Sequence, residues 1–139
     1  MEPNNCVSAW LALDDVTQAN GCVYVVPGSN QTQLPQIPSQ DTGRFGRQAD
    51  ISEYDVSSAI PLELPRGEFY LFHRLLLHRS DSNPGSGSRL ALSMQFISPE
   101  VKLGLEKRKL KVRDFGVQLV RGQDRLQLNP RAEAPLGGN

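Results

Sequence analysis

A chain of 139 residues is long enough for one ordinary domain and short for two. Its 15 basic and 15 acidic residues cancel, which argues against a nucleic-acid partner, because phosphate binding needs a basic excess. No run approaches the ~18 apolar residues of a spanning helix, so no membrane association is predicted. The start, MEPNNCVSAW, lacks the basic lead and long apolar core of a signal peptide, which places the protein in the cytoplasm.

In chain order the pattern is strand after strand. Residues 6–13, CVSAWLAL, alternate between an apolar face (Val7, Ala9, Leu11, Leu13) and a face that is small except for Trp10. Cys6 and Cys22, the only two cysteines, belong to no metal-binding spacing and read as small buried hydrophobes. Residues 14–21 carry turn chemistry, with Asp14-Asp15 early and Asn20-Gly21 late. A β-branched strand follows at 22–26 and ends at Pro27-Gly28. Residues 30–60 are polar, hold Pro35, Pro38, Gly43 and Gly46, and show no period, as expected of a long variable loop with at most a short turn or strand at Ile51–Tyr54.

Residues 61–64 and 67–77 read as extended, and 89–97 alternates most cleanly. There Leu90, Leu92, Met94 and Phe96 face one way, and Arg89, Ala91, Ser93 and Gln95 the other. The basic cluster Lys102, Lys107, Arg108, Lys109, Lys111 and Arg113 reads as a solvated face. Residues 115–120 read as a strand, 121–124 as a turn and 132–139 as a disordered tail. Short strands with Gly and Pro turns and little helix predict an all-β sandwich or barrel.

The segment FHRLLLHRSDSNPGSGSR carries the chemistry. His78 closes an apolar run, and Arg89 opens the next one 11 positions later, across a loop too rich in Ser, Asn, Gly and Pro to be helical. Two strands joined by that loop would hold an imidazole and a guanidinium side by side. An imidazole can bind a transition metal, and a guanidinium grips a carboxylate through two parallel hydrogen bonds. Arg89 shares its face with small and polar residues, as expected inside a ligand cavity.

VSAWLALDDVTQANGCVYVVPGSN, followed by GEFYLFHRLLLHRSDSNPGSGSR, resembles the phytanoyl-CoA dioxygenase family, and FGVQLVRGQDRLQLNPR resembles the C-terminal portion of its bacterial members. The resemblance implies a double-stranded β-helix of the jelly-roll, cupin-like kind, with Fe(II) and 2-oxoglutarate as cofactors. It implies His78 as an iron ligand, Arg89 and Ser80 as partners of the distal carboxylate of 2-oxoglutarate, and Trp10 as an aromatic wall of that pocket. Residues 1–131 would form one such domain, lacking its first strands, with the variable loop at 30–60.

The departure from the family pattern lies in the metal ligands. The family holds iron with an early His-x-Asp and a late histidine, whereas this chain has only His73 and His78 and no H-x-D or H-x-E. Nine residues precede Trp10, so the sequence reads as starting after the first two ligands. The expectation is therefore an incomplete iron site with weak or absent hydroxylase activity. The alternative is a non-catalytic β-sandwich that binds a small carboxylate or dimerises. His73 reads as a structural histidine, and Asp14 and Asp15 read as turn caps, although either could replace the missing carboxylate. Without the first strands, those bearing His78 and Arg89 would be open edges, which a homodimer would cover.

Overall fold

The computed structural model describes residues 5–39, 46–104 and 116–132. The chain divides into two compact units, one made of Val7–Gln95 and the other of Met1–Cys6 with Phe96–Asn139. The strands are β1 (Cys6–Ala12), β2 (Val23–Val25), β3 (Gln36–Pro38), β4 (Arg47–Ala49), β5 (Ile60–Leu62), β6 (Phe69–His73), β7 (His78–Ser80) and β8 (Ala91–Ile97). Helix among the described residues is limited to two 3-10 turns, Gln18–Asn20 and Ser29–Gln31. The fold is all-β, as the alternation predicts.

Three sheets form, in the strand orders β6-β1-β8, β5-β2-β7 and β3-β4. Strand β1 pairs antiparallel with β6, with Trp10 opposite Tyr70 and Ser8 opposite Phe72. Strand β2 pairs antiparallel with β5 on one side and with β7 on the other, placing Val25 opposite His78 and Val23 opposite Ser80. Strands β7 and β8 are therefore sheet-edge strands among the described residues, as expected for the segments bearing the imidazole and the guanidinium.

Alternation decides which residues are inside. Directly paired residues of an antiparallel ladder share a face, so Ser8, Trp10, Tyr70 and Phe72 point one way. Val7, Leu11, Phe69 and Leu71 point the other. The small face of β1 is the buried one: Cys6, Ser8 and Ala12 are all but inaccessible. Ala12 joins Val16 and Cys22 in a small core, against which Trp10, Tyr24 and Leu64 pack. Ala9 is buried on the opposite face, but much of the rest of that face stays open, with Phe69 59%, Leu71 60%, Leu90 57% and Leu92 46% exposed. Both thiols are buried and no disulfide joins them, as expected.

The sequence reading differs from the structure in three places. Residues 30–60 contain an antiparallel hairpin, β3 with β4, which Pro38 and the polar composition hid from a pattern search; the short turn allowed at Ile51–Tyr54 does form, closed by the Tyr54 N–H donating to the Ile51 carbonyl at 3.0 Å. The extended run 67–77 stops at His73, where the Leu76 N–H turns back to the His73 carbonyl at 2.9 Å. The strand expected from 115 reduces to a single bridge, Val117 to Arg131. The basic cluster from Lys107 to Arg113 and the tail beyond 132 lie outside the described residues.

In the unit containing Phe96–Asn139, Asn129 is the organising side chain. It is buried, its Nδ2 donates to the Val101 carbonyl at 2.6 Å, and its Oδ1 accepts from the Leu103 N–H at 2.7 Å. A depression of about 410 Å³ is lined there by Asp124, Gln127, Asn129 and Arg131. Its charged groups serve each other, with Arg131 and Asp124 3.6 Å apart.

Candidate functional site

The site is built on the inward faces of β1, β6 and β7, together with the residue that leads into β8. Trp10 and Tyr70, register partners on β1 and β6, stack with ring centroids 5.4 Å apart. Tyr70 meets Phe72, two residues along the same face, at 5.5 Å. Phe72 meets the His78 ring edge-on at 5.2 Å, crossing from the first sheet to the second. The Arg89 guanidinium also lies over the Trp10 ring, 5.6 Å from its centroid. Arg89 then reaches Ser80 on β7, its Nη2 donating to the Ser80 Oγ at 2.9 Å. Arg89 thus contacts both Ser80 and Trp10, and Tyr70 and Phe72 link Trp10 to the exposed ring of His78 in one contact cluster.

They meet by a different route from the one the spacing suggests. The strands flanking the 81–90 loop are not paired with each other; β7 belongs to the β5-β2-β7 sheet and β8 to the β6-β1-β8 sheet. The imidazole and the guanidinium are connected through the aromatic row Phe72, Tyr70 and Trp10, which runs from one sheet to the other.

His78 is oriented by its own turn. Its Nδ1 lies 2.7 Å from the Leu76 carbonyl. A carbonyl only accepts, so Nδ1 is the donor of this bond, and in the neutral ring that tautomer leaves the lone pair on Nε2. This is the backbone-to-imidazole contact that orients metal-binding histidines. The turn is itself held, because the Leu77 N–H donates to the buried Ser29 Oγ at 2.8 Å and the Leu77 carbonyl accepts from Val26 at 3.0 Å. His73 behaves as the structural histidine expected, its Nδ1 accepting from the Leu75 N–H at 3.3 Å.

Asp14 and Asp15 brace the backbone. Asp15 Oδ1 accepts from the Arg66 N–H at 2.8 Å. Asp14 Oδ2 accepts from the Leu90 N–H at 2.8 Å and the Ser88 hydroxyl at 3.4 Å, so it clamps the chain on both sides of Arg89. Asp81, next to Ser80, pairs with Arg79 at 3.4 Å. Gly21 adds a close approach. Its φ is +83°, and a Cβ there would lie 2.6 Å from the Asp81 carbonyl oxygen, while its own carbonyl accepts from the Ser80 hydroxyl at 3.3 Å.

Two buried polar atoms in this cluster have no partner, Arg89 Nε and Tyr70 Oη. Leaving such a group unsatisfied costs about 1–3 kcal/mol, and native structures contain few of them. Arg89 Nε only donates and the Tyr70 hydroxyl can donate or accept, so an acceptor such as a carboxylate oxygen can serve both. Tyr70 was not singled out by the sequence, where it reads only as an aromatic strand residue. Burial pushes its phenol well above the ordinary range, while the nearby Arg89 charge acts in the opposite sense. The residues therefore fit an oxo-acid. They fit an iron ion less well: among the described residues, no three His, Cys, Asp or Glu side chains gather into a metal-binding group.

The phytanoyl-CoA dioxygenase family model matches residues 1–91. "Phytanoyl-CoA dioxygenase 1" of Oryza sativa subsp. japonica is 34% identical over 71% of this chain and 35% of its own length. The peroxisomal phytanoyl-CoA dioxygenase of Homo sapiens is 32% identical over 68% of this chain and 29% of its own. The chain thus spans about a third of the length of the curated relatives it matches. Among solved structures, the non-heme alpha ketoglutarate dependent epimerase SnoN from nogalamycin biosynthesis is 27% identical, with a TM-score of 0.51, over 69% of this chain and 35% of its own. Family model, sequence relatives and fold agree, and the chain belongs to the phytanoyl-CoA dioxygenase family.

Proposed function

We propose that the chain is an Fe(II)- and 2-oxoglutarate-dependent dioxygenase-like protein of the hydroxylase type that keeps the oxo-acid half of the site and holds an incomplete iron half. The observation that carries this reading is the half-buried Arg89, its Nε without a partner, beside Ser80 and Trp10. Arg89 would grip the distal carboxylate of 2-oxoglutarate, Ser80 would steady the guanidinium, and Trp10 would wall the pocket. His78 Nε2 would be the one imidazole offered to iron. The remaining ligands would come from a partner chain, from solvent or from further polypeptide. With its cofactors bound, such a site couples hydroxylation of an aliphatic C–H by O₂ to conversion of 2-oxoglutarate into succinate and CO₂. The reading treats residues 1–131 as one double-stranded β-helix domain without its first strands. Cytoplasmic residence belongs to the same reading, while the human relative's name is peroxisomal.

Incubating the purified chain with Fe(II), 2-oxoglutarate and O₂ and measuring succinate tests both halves. The expected result is binding of 2-oxoglutarate with succinate close to the blank. Sustained turnover by the isolated chain would overturn the incomplete iron site, and failure to bind 2-oxoglutarate would overturn the oxo-acid half.

The second reading is a non-catalytic β-sandwich that binds a small carboxylate and self-assembles. It is favoured by the edge positions of β7 and β8, whose outer backbone groups could pair with a second copy. Size-exclusion chromatography with light scattering would give about twice the 15.4 kDa chain mass for that dimer. A concentration-independent monomer would count against it.

A further inference from the structure

We propose that Tyr70 is an additional anion contact beside Arg89, its hydroxyl donating a hydrogen bond to the oxo-dicarboxylate that Arg89 holds. This deepens the reading of Arg89 as a carboxylate grip and rests on it. The argument starts from what the ring alone would do. Stacked on Trp10 at 5.4 Å and against Phe72 at 5.5 Å, a phenylalanine would fill the same space. The hydroxyl adds nothing to that packing, since its oxygen is buried and makes no hydrogen bond. A buried phenol oxygen normally finds a partner, and here the protein offers none.

The second orphan in the same cluster is Arg89 Nε, and both groups belong to residues in contact with the Trp10 ring. The guanidinium can only donate and is cationic, and the hydroxyl can donate, which selects a ligand that is anionic and rich in acceptors. Ser80 is already engaged: its oxygen accepts from Arg89 at 2.9 Å, and its proton faces the Gly21 carbonyl at 3.3 Å. Tyr70 is therefore the hydroxyl available to the ligand. Burial holds the proton on the phenol, so it acts as a neutral donor throughout the physiological range.

Trp10 is the chain's single tryptophan and touches both groups, so its emission reports the site directly. The test titrates the full chain with 2-oxoglutarate in the absence of metal, following Trp10 fluorescence and checking by calorimetry. The wild type should saturate. Tyr70→Phe should bind about ten- to a hundredfold more weakly, the loss expected for one hydrogen bond to a charged acceptor. The thermal midpoint of the variant should be unchanged or raised, because a partnerless buried oxygen has been removed. A purely structural tyrosine would instead lower the midpoint and leave affinity intact. Equal affinities for wild type and Tyr70→Phe would overturn the Tyr70 assignment while leaving Arg89 standing. Unchanged binding in Arg89→Gln, or no saturable binding by the wild type, would overturn the underlying reading as well.

Discussion

Residues of one type do different work in this chain, and burial separates them. Arg79 is exposed, lies 5.1 Å from the Tyr24 ring and pairs with an exposed Asp81. Such a surface pair contributes under about 1 kcal/mol. Arg89 is half-buried with an unmet Nε, and it is the cation that can repay an anion for desolvation. Arg79→Ala should leave the Trp10 response to 2-oxoglutarate unchanged, whereas Arg89→Ala should remove it. The two histidines divide in the same way. His73 spends its Nδ1 lone pair on the Leu75 amide, whereas His78 protonates Nδ1 toward Leu76 and keeps Nε2. His78→Ala should abolish any Co(II) absorption band of the chain while 2-oxoglutarate still quenches Trp10. Loss of both signals would show that the imidazole also supports the oxo-acid pocket. The spacing of His78 and Arg89 was legible in the sequence. Tyr70 was not, because a strand tyrosine looks the same whether its hydroxyl meets water or a ligand.

At the scale of elements, the loop between β7 and β8 is held at two points that a motif search does not see. Asp14, 75 residues before Arg89, clamps Leu90 and Ser88. Asp14→Ala should cost about 1–2 kcal/mol through the lost amide hydrogen bond. It should also weaken 2-oxoglutarate binding in proportion to the freedom Arg89 gains, measured by urea melts and the same titration. Gly21 sits under the start of that loop with φ +83° and no space for a Cβ. Gly21→Ala should cost about 1–3 kcal/mol, from left-handed backbone strain added to a clash with the Asp81 carbonyl. A neutral Gly21→Ala in a urea melt would mean that the loop moves aside freely. Both residues read in the sequence as turn chemistry, which was correct locally. Their partners lie far along the chain, and local pattern carries no information about them.

Across the molecule, stability should fall on the alkaline side. Burial raises the Cys22 thiol from its ordinary 9.0, with the Glu63 charge adding to it. Burial likewise raises the phenols of Tyr24 and Tyr70 from 10.0. In each case the folded state holds the proton more tightly than the unfolded chain. That contribution is complete below the unfolded values and is lost as pH rises past 9.0 and through the raised folded values. Urea midpoints should therefore drop between pH 8.5 and pH 10.5, and Tyr70→Phe should drop less than wild type; equal drops would remove Tyr70 from the effect. The open apolar face is a second property of the whole. Phe69, Leu71, Leu90 and Leu92 are each about half exposed or more, and large exposed apolar patches mark surfaces made to be covered. Among the described residues, β7 and β8 also lie at sheet edges.

The sequence alone determined the β class, because period-two alternation in 6–13 and 89–97 admits no helix. It also determined the chemistry on offer: one well-placed imidazole, one guanidinium, one tryptophan and no His-x-Asp. Only the tertiary structure decided how these meet. Alternation says which residues share a face but not which sheet a strand joins, so the placement of β7 and β8 in different sheets was invisible until the ladders closed. Hydrogen-bond satisfaction depends on neighbours distant in sequence, and for that reason the two partnerless groups, Arg89 Nε and Tyr70 Oη, emerged only from the folded chain.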